Sequence, residues 1–131
     1  MTLGRRPAAA QDAAPARPED SALDVEVRAF VIEERLASVM AEACAVEGIV
    51  AVGDVRIRAT RMVDDKVRAG HASEAVIEAL RRQQIALGAV DATIEELRRN
   101  GIRQGDRDGL CRWAATEIAS GSALGQRLGY R

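Results

Sequence analysis

Between Leu23 and Glu47 the apolar residues Val27, Phe30, Val31, Leu36, Val39, Met40, Ala43 and Val46 recur at three- and four-residue steps. That spacing places them along one face of a helix, so folding must bury a long stripe against other elements. Ser21 stands where an N-cap is needed, Asp24 and Glu26 would complement the helix dipole, and Gly48 is a suitable stop. Hydrophobic residues make up 47% of the chain, yet there is one Phe, one Trp and one Tyr. A core of Ala, Val, Leu and Ile packs helix on helix more readily than it fills a sandwich or barrel. The expected class is mainly α: a small helical domain with one candidate short β-strand, preceded by a long helix and a disordered N-terminal arm.

The arm is residues 1–21, which contain Pro7, Pro15 and Pro18 and lack the large apolar residues that would offset the entropy of ordering. Residues 22–131 suit a single helical domain in a chain of 131 residues. Arg5 and Arg6 are followed by no apolar h-region, so no secretory signal is expected, and no run approaches the roughly 20 apolar residues of a membrane span. Cys44 and Cys111 belong to no C-x-x-C or Cys/His array and are expected as buried free thiols in the cytoplasm, with no metal.

Residues 49–69 fit two periods. Ile49 to Val52 is a short apolar run and Gly53-Asp54 a turn or cap signal. Read as a strand, Val55, Ile57 and Ala59 alternate with Arg56, Arg58 and Thr60, and a shorter helix begins near Met62. Read as a helix capped by Asp54, Val55, Ala59, Met62, Val63 and Val67 share one stripe.

Gly70 ends that element and Ser73 is placed to cap the next. Val76, Leu80, Leu87, Val90, Ile94 and Leu97 then form a near-a/d seam with Gln83 as its polar member, a face that would bury against a partner helix or an identical subunit. Gly88 interrupts it, and Asp91 could cap a separate short helix ending at Asn100-Gly101. A last helix is expected from Asp106 to Ser120, docking through Trp113, with residues 121–131 as a loose glycine-rich tail.

Catalytic constellations are scarce. His71 reads as a turn residue, and Asp64 and Asp65 would diverge by about 100° on a helix. The Gly105 to Gly109 run fails as a calcium loop because Gln104 and Ala115 occupy the outer ligand positions. Ser122 lies beside Gly121 rather than at the centre of a nucleophile elbow, and no phosphate loop is present. Neither an enzyme nor a cofactor is expected.

Net charge is −1, so any polyanion site must be local; residues 51–70 hold five bases against three acids. An extended 55–60 would present Arg56, Arg58 and Thr60 outward. Two such strands paired across a dimer axis form a ribbon that the major groove of double-stranded DNA admits, and Ser73 at the next helix start could hold a phosphate. The segment from Gly70 through Ser73, Glu74, Val76, Ile77, Ala79 and Leu80 to Arg82 resembles the turn and second helix of ribbon-helix-helix proteins, the ParD and CopG-like antitoxins above all. Asp91 to Gly101 is similar to the segment that follows in ParD-type antitoxins. The resemblance spans residues 55–101 and implies a dimeric operator-binding regulator, autorepression and a toxin partner. The alternative is a non-enzymatic helical assembly or adaptor protein: Ile94 to Ile102, followed by Asp106, Leu110 and Cys111, is similar to phage small terminase subunits.

Overall fold

The computed structural model describes residues 21–87 and 90–131. All but Ser21 of the expected N-terminal arm, and the expected interruption at Gly88, lie outside the described residues. The protein is mainly helical, with a small two-stranded sheet.

Helix α1 spans Ala22–Ala43, and the Ser21 hydroxyl accepts from the Asp24 amide at 3.0 Å, satisfying one of the first-turn donors. Val27, Val31, Leu36, Ala37 and Met40 form its buried stripe. The helix ends earlier than Glu47. Cys44 closes it, a single 3₁₀ turn covers Ala45–Glu47, and Gly48 stops that turn in the left-handed region at φ 81°. Val46, expected on the stripe, is instead exposed. Strand β1, Ile49–Ala51, follows.

Helix α2 spans Val55–Arg68, so the hexapeptide 55–60 is helical and the strand expected there is corrected. Two local causes favour the helix: the Asp54 carboxylate accepts from the Arg56 amide at 2.8 Å, and Lys66 and Arg68 in the last turn suit the dipole.

Helix α3 spans Ser73–Ala86 with Ala72, not Ser73, as its N-cap. Helix α4 is separate, Val90–Arg99, so the seam expected as one face is divided between two helices. Helix α5, Arg107–Ser120, is capped by Asp106, which accepts from the Gly109 amide at 2.9 Å.

The tail expected to be loose is built in. After Gly121, a 3₁₀ turn at Gly125–Arg127 leads to strand β2, Leu128–Tyr130, antiparallel to β1 with Ile49 opposite Tyr130, Val50 opposite Gly129 and Ala51 opposite Leu128. Leu124 and Leu128 enter a core with Leu36, Met40, Ile49, Leu110 and Ala114. The tail reaches the end of α5 because position 125 is glycine: a Cβ there would stand 1.9 Å from the Glu117 carbonyl oxygen.

Cys44 and Cys111 are bonded to each other, which overturns the expectation of free thiols. Both are buried in the core and tie the end of α1 to α5. No helix among the described residues is long and apolar enough to cross a membrane.

Two outcomes follow. The bond spans a separation of 67 residues, and closing a loop of that length stabilises by about 4 kcal/mol in the chain-entropy account. A Cys44→Ala/Cys111→Ala double variant should therefore shift the urea midpoint sharply downward, and an unshifted midpoint would count against the bond. Gly125→Ala should cost on the order of 1–3 kcal/mol, read as a fall of several degrees in Tm.

Candidate functional site

The polar centre of the fold is Glu34. In the α1 stripe it stands three residues after buried Val31, a position where an apolar side chain would be expected. Its carboxylate instead accepts from Arg58 Nε at 2.5 Å and Nη2 at 2.8 Å, and from Arg127 Nε at 2.8 Å. Arg58 Nη1 also donates to the Val52 carbonyl at 2.9 Å, and Arg127 Nη1 to the Ala123 carbonyl at 2.6 Å. Glu33 lies 3.4 Å from Arg127, whose guanidinium sits 5.3 Å from the centre of the Phe30 ring. Burial alone would push the Glu34 carboxyl up, but the hydrogen bonds from Arg58 and Arg127 outweigh it and hold it below its ordinary value. Burial dominates at Glu33 and pushes its carboxyl up despite Arg127.

The sequence-predicted DNA row is therefore not a row. Arg58 is bound to α1 and to the β1–α2 turn. Arg56 is 89% exposed beside Asp54, and the Thr60 hydroxyl donates back to the Arg56 carbonyl at 2.9 Å. Ser73, exposed in the first turn of α3, makes no side-chain cap bond. The seam residues are also redirected. Val76 and Leu87 are 0% exposed within this chain, leaving no area for a partner, because α3 packs on α1. Leu97 joins the core beneath α1 and α5; Leu80 and Ile94 are half-buried, and the side chain of Val90 lies outside the described residues.

A second polar network ties α3 to α1. Asp24, buried, accepts from Arg82 Nη2 at 3.1 Å and Gln83 Nε2 at 3.1 Å, and from the Ser21 hydroxyl at 2.5 Å. Burial raises its carboxyl, while the bonds from Ser21, Gln83 and Arg82 together lower it further, leaving it below its ordinary value.

Beside Glu34 a groove of about 500 Å³ opens over α1. Val31, Ala37 and Ala41 form its floor, Val52 and Val55 one wall, and Gln84 of α3 reaches it from the other side. Arg35 and Ser38 line it as well, and so do Glu34, Arg58 and Arg127. Such a volume lies in the range of about 300–1,000 Å³ typical of small-molecule sites. The sequence reading missed this site because it treated α1 only as a core stripe; the signal was an acid, Glu34, standing on that stripe. Among the described residues, no group of three or more His, Cys, Asp and Glu is placed to hold a metal. Comparison with protein-family models, with curated proteins and with solved structures gave no match.

A carboxyl held below its ordinary value stabilises fully above that value and loses its contribution as pH falls. Glu34, with an ordinary value of 4.5, and Asp24, with 3.8, both have this sign. Glu33, raised, has the opposite sign and offsets part of the loss. Stability should therefore fall progressively as pH drops below about 5. Glu34→Gln should cost about 3 kcal/mol at neutral pH and flatten that acid limb, measured by urea unfolding across pH. An unchanged acid limb would exclude Glu34 as its source.

Proposed function

We propose that this chain is a non-enzymatic helical binding protein whose working surface is the groove over α1. The observation that carries the reading is the combination of a fixed polar rim with open apolar walls. Glu34, Arg58 and Arg127 hold the surrounding elements in place, while Val52 and Val55 at the mouth remain 37% and 48% exposed. A pre-formed concave site of this kind requires little ordering when a ligand enters.

The DNA-binding regulator or antitoxin reading depended on an extended 55–60, and α2 gives it no such row. Glu74 and Glu78 on α3 also set negative charge where a recognition helix would meet phosphate. The disulfide supports placing the protein in an oxidising compartment rather than the cytoplasm, because buried structural disulfides persist there.

The test uses the disulfide-intact full chain and a neutral apolar fluorophore, N-phenyl-1-naphthylamine. Saturable binding is expected, and Ser38→Trp, which fills the groove from an exposed position, should abolish it. Absent binding, or equal binding by the Ser38→Trp variant, would sink the groove reading. Steeply salt-dependent binding to duplex DNA would instead favour the regulator.

A further inference from the structure

The groove has a chemical preference that its ion pairs disclose. Three arginines line it, Arg35, Arg58 and Arg127, against one acidic residue, Glu34. Arg58 and Arg127 are both bonded to Glu34, and Arg127 also has Glu33 at 3.4 Å. Those two cations are thus matched by two acids. Arg35 is the excess: it is half-buried, and it makes no ion pair or side-chain hydrogen bond among the described residues. A half-buried cation beside apolar walls gains more from an anion than a solvated surface arginine does, because the local dielectric is lower.

We propose that the groove binds an aliphatic monocarboxylate, with Arg35 as the counter-ion of the carboxylate and the alkyl chain along α1. This rests on the groove reading above. One unmatched guanidinium fits one negative charge; a second would stand uncompensated beside Glu34. The fork of Arg35 can donate two parallel hydrogen bonds to a carboxylate, and Ser38 and Gln84, lining the same groove, supply further donors. An aliphatic body suits Val31, Ala37, Ala41, Val52 and Val55. The one aromatic ring in the lining, Phe30, already carries the Arg127 guanidinium, which leaves that cation rather than a ligand on its π system.

Displacement of bound N-phenyl-1-naphthylamine by decanoate and by decanol, which share a chain length and differ in charge, tests the assignment. The wild-type chain should prefer decanoate about tenfold or more, the worth of a charge-assisted hydrogen-bonded pair. Arg35→Leu should erase that preference, and Arg35→Lys, which keeps the charge without the fork, should retain part of it. Because the readout is a ratio of two ligands on one variant, a general loosening of the groove does not mimic the effect. Equal displacement by both ligands in the wild type, or a preference that survives in the Arg35→Leu variant, would overturn the carboxylate site while leaving the groove intact. If the fluorophore does not bind at all, it is the groove reading that fails, and the carboxylate site falls with it.

Discussion

A single carboxylate on α1 organises the exposed half of this fold. Glu34 takes hydrogen bonds from α2 through Arg58 and from the C-terminal segment through Arg127, partners that lie 24 and 93 residues away in sequence. No residue of α2 is buried, so that helix has little hydrophobic area with which to dock. Its position relative to α1 therefore depends on ion pairs: Arg58 with Glu34, and Lys66 with Glu26. The first is well satisfied, with both donors of a fork engaged and a backbone carbonyl taking the third, which is the condition under which a partly buried pair stabilises rather than merely offsets its desolvation.

The other half is held by a different kind of interaction. The disulfide and the apolar core around Met40, Ile49, Leu110 and Leu128 join the end of α1, β1, α5 and the tail. With few aromatic residues, this core gains its density from small aliphatic side chains. The covalent link acts chiefly on the unfolded chain, whereas the core acts on the folded one. The groove lies where these two halves meet: its floor is α1, one wall the turn after β1, and its polar edge the Glu34 cluster. A change in either half is felt there.

Both polar networks arise from acids placed on a buried helical stripe. Asp24 and Glu34 sit at helical spacing from Val27 and Val31, so burying the stripe buries Asp24 and partly buries Glu34. A buried carboxylate demands donors, and the chain supplies Arg82 and Gln83 for one and Arg58 and Arg127 for the other. Half of the first network was visible in advance, because Gln83 stood as the polar member of an apolar seam; its partner was not, since Asp24 has an equally good local role in the first turn. Arg35, next to Glu34 but turned about 100° around the helix axis, escapes this pairing. That offset is why the groove retains an unmatched positive charge.

Local chemistry in the sequence determined that α1 and α5 are helices and that Ser21 caps the first of them, because apolar period and capping involve residues within a few positions of one another, although α1 ends at Ala43 rather than at Glu47. The helix-or-strand choice at 55–60 could not be made that way. Six residues satisfy either period, and the Asp54 cap is available to only one of the two readings; the contact that engages the segment as a helix, Arg58 on Glu34, lies 24 residues away. The Cys44–Cys111 bond, the ordering of the tail and the gathering of Arg58 and Arg127 on Glu34 were likewise decided only by the tertiary structure. Each joins positions whose proximity no short-range pattern encodes, and each arises because packing α1 against the remaining elements brings their side chains within bonding distance.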